Sequence, residues 1–242
     1  MTVQGKTVLV TGGTSGIGEA TARAYAAAGA EVVISGRDEQ RGRQIVESLT
    51  NNGARARFVQ VDLERLEDVQ RLATEVEHVD VLINNAGVFP FGATHEVDGE
   101  QFDATFAVNV KAPFFLTGAF APRMAANGGG AIVNVSTMVA SFGAPGMALY
   151  GSTKAALELL TKAWAAEYGP QGVRVNAIAP GPTRTPGTEP MGDGLDQLAA
   201  TLPLGRPASP EEVGNAALFL GSKEASYING AVLAVDGGRT AI

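Results

Sequence analysis

Thr7-Val-Leu-Val-Thr11-Gly-Gly-Thr-Ser-Gly-Ile-Gly18 decides the fold of this chain. A short β-rich apolar run meets a glycine-rich turn. The alanine-rich stretch Glu19–Ala28 follows and stops at Gly29, a helix C-terminal signal. Gly12 permits a tight turn, Gly16 lets a backbone approach a pyrophosphate, and Gly18 lets the helix pack closely on the sheet. Thr14, Ser15 and Ile17 complete the turn. The helix N-terminus offers free N–H groups and a positive dipole end to a phosphate. The spacing is Gly-x-x-x-Gly-x-Gly, without the Gly-Lys-Ser/Thr of a P-loop. A bare structural turn is the alternative. Its position, after strand one and at the start of helix one, favours nucleotide binding.

Strand and helix alternate outward from this turn. Further β-rich runs are Glu31–Ser35, Arg57–Val61, Val79–Ile83, Ala131–Val135, Val173–Ile178 and Ala231–Val235. Helical stretches are expected at Glu39–Thr50, Arg65–Glu77, Gly99–Ala119, Gly151–Tyr168 and Glu211–Gly221, the last opened by Pro210. Seven strands separated by helices imply an α/β class fold with a parallel sheet covered on both faces. The expectation is one Rossmann-type doubly wound domain over residues 1–242, with no internal repeat or linker. The Pro-, Gly- and Thr-rich stretch Pro180–Pro190 reads as a loop, and a mobile substrate loop is expected near 182–202.

Composition narrows the function classes. The 242 residues are 45% hydrophobic and 18% charged, as in a compact globular protein. A net charge of -7 argues against nucleic acid as a partner. There is no cysteine, so disulfides, thiolate metal sites and cysteine nucleophiles are out. The two histidines, His78 and His95, form no ligand-spaced cluster, and no metal is expected. Met1 to Lys6 lacks the apolar stretch of a signal peptide, and no run of about 18 apolar residues suggests a membrane span. A cytoplasmic location is the expectation.

Tyr150-Gly-Ser-Thr-Lys154 places a phenol and an ammonium four residues apart on one helix face. A positive charge nearby favours the phenolate, lowers its pKa and makes the pair a proton donor or acceptor. Alone the spacing is weak. With the glycine turn, Asn84-Asn85-Ala86-Gly87 after strand four, Asn109 in Val108-Asn-Val110, Val175-Asn-Ala-Ile-Ala-Pro180-Gly181 and Asp236-Gly-Gly238, the chain resembles the short-chain dehydrogenase/reductase family over nearly its whole length. It is similar in particular to 3-oxoacyl-[acyl-carrier-protein] reductase-like members.

The resemblance implies roles. Tyr150 exchanges a proton with the substrate oxygen. Lys154 lowers the tyrosine pKa and holds the nicotinamide ribose, and Asn109 holds a relay water. Asp62, with Leu63 beside it, contacts the adenine; the alternative for Asp62 is a helix N-cap. Asn85, Ala86 and Gly87 line the adenosine ribose. Pro180 and Gly181 close over the nicotinamide, with Thr183 and Thr185 on the carboxamide or phosphates. The family's serine lies thirteen residues before the tyrosine, where this chain has Thr137. Thr137 keeps the hydroxyl and narrows the pocket with its methyl; Ser136 acting through a bulge is the competing reading.

Where relatives that bind NAD carry an acid, this chain has Gly36 followed by Arg37, which suits a 2′-phosphate. NADP(H) is expected, with NAD(H) possible and with Asp38 and Glu39 placed to neutralise Arg37. Met138, Phe142, Ala144, Met147, Leu149 and the loop Pro186–Leu195 make an apolar candidate pocket for a small ketone, aldehyde or alcohol. An acyl-carrier-protein substrate is the alternative, weakened by the lack of Lys or Arg in Met124–Ala131. A nucleotide-binding sensor or scaffold, and a methyltransferase on a similar sheet, make no use of the Tyr–Lys pair. The resemblance implies a homotetramer built through the tyrosine-bearing helix and through the last helix and strand. Leu157, Leu159, Leu160, Ala163 and Trp164 spread apolar surface around that first helix, which needs cover on more than one side.

Overall fold

The computed structural model describes Met1 and residues 3–242. Seven parallel strands form one sheet in the order β3-β2-β1-β4-β5-β6-β7. They are β1 Thr7–Thr11, β2 Glu31–Gly36, β3 Arg55–Gln60, β4 Val81–Asn84, β5 Gly130–Val135, β6 Val173–Pro180 and β7 Val232–Val235. The eight α-helices are α1 Gly16–Ala27, α2 Glu39–Asn51, α3 Leu66–Glu75, α4 Gly99–Phe106, α5 Ala112–Ala126, α6 Ala148–Tyr168, α7 Asp193–Ala200 and α8 Pro210–Gly221. The strand order reverses between β1 and β4. A crevice opens there, at the carboxyl ends of the strands, and that is where such sheets bind ligands.

Alternation along β1 divides the core. Leu9 faces one layer, with Leu82, Leu116, Phe120 and Trp164, beneath α3, α5 and α6. Val8 and Val10 face the other, with Tyr25, Ile34 and Leu218, beneath α1, α2 and α8. Caps fix the helix starts. Asp38 accepts from Arg41 N at 2.9 Å, and Ser209 with Glu212 forms a capping box behind Pro210.

Several boundaries differ from the sequence reading for local reasons. β4 starts at Val81, because the Asp80 carboxylate is tied back to Thr7 N at 2.9 Å and to Lys6 Nζ at 2.8 Å. The helix expected over Gly99–Ala119 reaches Ala126 and carries a π-helical turn at Ala107–Lys111. Pro113 has no N–H to offer the carbonyl four residues back, that of Asn109, so the α ladder cannot run through unbroken. The joined run of 28 residues is long and apolar enough to cross a membrane by length and composition, although polar and charged residues interrupt it. Leu116, Phe120, Ala121 and Met124 are buried against the sheet, as in a core helix. The expected loop 182–202 contains α7. Leu195, Leu198, Ala199 and Leu202 have the i, i+3, i+4, i+7 spacing that signals it, with Leu195 and Ala199 buried.

A polar seam crosses the core beside the crevice. Asn84 Nδ2 donates to Asn134 Oδ1 at 2.8 Å, and Asn134 Nδ2 donates to Thr161 Oγ1 at 2.8 Å. The seam joins β4 to β5 and β5 to α6, all buried. Asn134→Ala leaves the Asn84 amide and the Thr161 hydroxyl short of partners. It is expected to lower stability by about 2–3 kcal/mol in urea denaturation.

Candidate active site

Two turns meet at the crevice. Gly12 and Gly16 lie at φ 63° and 53°, where a side chain is strained. A Cβ on Gly12 would stand 2.9 Å from Ala86 Cα, and one on Gly18 would strike Gly12 O and Asn85 Nδ2. Thr11 Oγ1 accepts from Asn85 N at 3.0 Å and from Ala86 N at 3.1 Å, while Asn85 Nδ2 donates to Thr11 O at 2.8 Å. The Asn85 amide nitrogen therefore locks the glycine turn in place rather than reaching freely for a ribose.

One cavity of about 430 Å³ runs along these turns. Every expected cofactor residue lines it, from Gly12, Thr14, Ser15, Gly16, Ile17 and Gly18 to Arg37, Asp62, Leu63, Asn85, Ala86, Gly87, Pro180, Gly181, Thr183 and Thr185. Arg37 reaches the cavity mouth with its guanidinium 3.7 Å from Glu64. Asp38 and Glu39 do not neutralise it, since they pair with Arg41 and Arg43. A Cβ at Gly36 would stand 2.9 Å from Thr14 Cγ2, so an acidic side chain has no room there unless Thr14 moves. Asp62 is not the N-cap of α3, a position Arg65 holds; its carboxylate accepts from Glu64 N at 3.2 Å.

Deeper in the cavity stand Thr137, Tyr150 and Lys154. Ser136 points away. Its Oγ donates to Glu158 at 2.7 Å. Thr137 continues the extended backbone past β5 and lines the cavity with Tyr150, near enough to pull the phenol pKa down, while its Oγ1 accepts from Val139 N at 3.4 Å. That geometry favours Thr137 over Ser136 at the serine position. Lys154 Nζ donates to Val135 O at 2.8 Å, with Asn109 Oδ1 beside it across Gly87. Asn109 lies behind the cavity wall. Its Oδ1 accepts from Val88 N at 2.9 Å, and its Nδ2 donates to Val88 O and to Thr153 Oγ1.

The expectation that Lys154 lowers the Tyr150 pKa is not met in the protein alone. Burial pushes the phenol up to about 12, against a smaller downward pull from the Thr137 bond. Burial likewise pulls the Lys154 ammonium down to about 8. Desolvation disfavours the charged form of each.

Of the expected substrate pocket, Met138, Met147 and Leu195 line the cavity, whereas Phe142, Ala144 and Leu149 do not. Phe142 instead lies under the Arg239 guanidinium, 5.0 Å from its ring centroid. From the expected loop Pro186–Leu195, Gly187, Thr188 and Met191 also line the cavity, whereas the sequence reading missed Val88, Phe89 and Leu198. The α7 periodicity signals Leu198; Phe89 has no motif, only its place two residues past Gly87.

A family model described as enoyl-(acyl carrier protein) reductase matches residues 12–240. A solved structure of a short-chain dehydrogenase/reductase family protein is 51% identical, covers 100% of both chains and superposes with a TM-score of 0.94. The chain belongs to the short-chain dehydrogenase/reductase family. As a member it is an oxidoreductase acting on CH–OH groups with a nicotinamide cofactor. It is 38% identical to a cyclopentanol dehydrogenase of Comamonas sp. over 246 residues, covering 99% of this chain and 98% of that one. It is 36% identical to a 3-oxoacyl-[acyl-carrier-protein] reductase of Thermotoga maritima over 243 residues, covering 98% and 99%. A structure described as an NAD(P)-dependent gluconate 5-dehydrogenase from Beutenbergia cavernae, with bound NADP, is 39% identical with a TM-score of 0.95, covering 100% and 99%.

The buried lysine has a consequence for stability. Its folded pKa of about 8 lies below its usual 10.5, so between those values the unfolded chain holds more protons than the fold. Stability therefore rises with pH through that window, and the cost of the buried charge is fully present below it. Tyr150 acts in the opposite sense only higher, between 10 and about 12. The urea midpoint of the cofactor-free protein is expected to rise from about pH 8 to about pH 10, and Lys154→Met to flatten that rise. An equal rise in both proteins refutes the assignment.

Proposed function

We propose that this protein is an NADP(H)-dependent oxidoreductase that interconverts a small ketone or aldehyde and the corresponding alcohol. The observation that carries the reading is the placement of Thr137, Tyr150 and Lys154 in the same cavity as the glycine turn. The cofactor fits this groove. Gly12, Gly16 and Gly18 leave no side chain between the backbone and a pyrophosphate at the start of α1. Arg37, with only Glu64 loosely opposite, offers a guanidinium to a 2′-phosphate at the adenosine end. When bound, the cofactor supplies or accepts a hydride at the substrate carbon.

The chain's own groups manage the proton. Thr137 Oγ1 donates to the carbonyl oxygen and orients it toward Tyr150. Tyr150 gives up its phenolic proton as negative charge develops on that oxygen, and takes it back in the oxidation direction. Its high value in the protein alone keeps the proton on until charge develops on the substrate oxygen. Lys154, mostly charged at neutral pH, stabilises the phenolate in the filled site, and the family relay through Asn109 resupplies the proton. The Asn109 side chain is fully engaged with Val88 and Thr153, so its backbone carbonyl, left without an α-helical donor by Pro113, is the group that holds the relay water.

The Thermotoga maritima relative supports a second reading, a 3-oxoacyl-thioester reductase. Charge at the mouth opposes it. Glu189, Asp193 and Asp196 are exposed along residues 182–202, and Arg184 is paired with Asp196 at 2.7 Å. An acidic carrier protein meets like charge there.

Assembly as a homotetramer is supported by large apolar side chains left in solvent on two faces. Phe114, Phe115 and Leu159 lie on α5 and α6, and Leu233 on β7 lies with Leu204 and Tyr227 near the other edge of the sheet. Light scattering is expected to give four copies; a monomer refutes it.

NADPH oxidation across a panel of carbonyl compounds tests the activity. Tyr150→Phe is expected to lower kcat/KM by about 10³-fold, and Thr137→Ala by about 10²-fold, with Thr137→Ser largely retained. Arg37→Ala is expected to cost about tenfold in kcat/KM for NADPH and to leave NADH unaffected. No turnover of any carbonyl, or undiminished Tyr150→Phe, rejects the reading.

A further inference from the structure

Phe89 occupies an unassigned position at the reacting end of the cavity. Its ring stands edge-on to Tyr150, with centroids 6.1 Å apart and planes at 62°. Its far tip abuts the loop 182–202, where a Cβ on Gly187 would lie 3.0 Å from Phe89 Cζ. Phe89 is nonetheless 47% exposed. Met138, Met147 and Met191, three of the five methionines in the chain, line the same cavity. Thioethers make favourable contacts with rings and adapt to their shape.

This end of the cavity is also poor in polar anchors. The charged lining residues are Arg37, Asp62 and Glu64 at the adenosine end, and Lys154 beneath Tyr150. Thr188 Oγ1 donates to Thr183 O at 2.7 Å and accepts from Thr185 N at 2.9 Å, and Ser136 is held by Glu158. A carboxylate finds no cation here apart from Lys154, and the hydroxyls of a polyol meet walls of Phe, Met, Val and Leu.

We propose that Phe89 is a specificity-determining residue, and that the substrate is an uncharged ketone or secondary alcohol with a ring at or beside the reacting carbon. The proposal rests on the oxidoreductase reading above. With the carbonyl oxygen held by Thr137 and Tyr150, the substituent extends into the wedge between the Phe89 ring and the thioethers. A flat or alicyclic ring fills that wedge with few rotors to freeze, whereas a linear chain of the same carbon count must order several. Aromatic and thioether contacts of this kind favour the ring by about three- to tenfold per contact.

Steady-state kinetics with NADPH test it, using cyclohexanone, acetophenone, linear 2-alkanones of matching carbon number, and a keto acid. The protein is expected to prefer each ring ketone over its linear counterpart by about tenfold in kcat/KM, and to reject the keto acid. Phe89→Ala is expected to raise KM for ring ketones about tenfold, with a smaller change in kcat, and to abolish the preference. Phe89→Tyr restores it, which a merely structural role does not predict. Equal losses on ring and linear ketones in Phe89→Ala, or a native preference for linear or acidic substrates, overturns the proposal while leaving the oxidoreductase reading intact. Absence of turnover on every carbonyl sinks that reading instead.

Discussion

The active site depends on the contact between the turn after β1 and the turn after β4. Thr11 accepts two backbone N–H groups from Asn85 and Ala86, and the Asn85 amide returns a bond to Thr11 O. These bonds hold two strand ends close enough that neither Gly12 nor Gly18 can carry a side chain. The groove floor is thus bare backbone, as recognition of a pyrophosphate requires. Everything else hangs from the same sheet edge. Pro180 and Gly181 come from the end of β6, Thr137 from just past β5, and Asp62 from just past β3.

Helix α6 then does two jobs. It delivers Tyr150 and Lys154 from its first turns, and it closes the core with Leu157 and Trp164. Because the reactive pair belongs to a packed helix, its geometry is rigid, but both groups lose water. The raised phenol and lowered ammonium are the result of that burial. At neutral pH the protein alone therefore holds a neutral tyrosine beside a lysine that is still mostly charged. The proton stays on the tyrosine, and the active arrangement waits for a polar or charged neighbour in the groove.

Much of this was legible in the sequence. Alternating β-rich runs and the glycine turn signalled the parallel sheet, because both are set by local chemistry and by periodicity. The expected cofactor residues came mostly from the family resemblance, and they line one cavity. What escaped was non-local. The sign of the Tyr150 shift depends on how deeply α6 is buried, and spacing does not record depth. The π turn follows from Pro113 acting on Asn109, a pair obvious only when the two are known to share one helix. Phe89 lies on a loop whose partners, Tyr150 and Gly187, are far away in sequence.

The choice between Ser136 and Thr137 shows how a strand can decide chemistry. Ser136 N still donates to Ile178 O at 2.7 Å, so the sheet pairing runs on past the end of β5. Thr137 remains extended at φ −162° and ψ 153°. Without a bulge, successive side chains must face opposite ways. Ser136 Oγ is tied to Glu158, while Thr137 lines the cavity with Tyr150. Parity, rather than hydroxyl type, separates the two side chains, and a threonine keeps a hydroxyl at this position without any shift of the backbone.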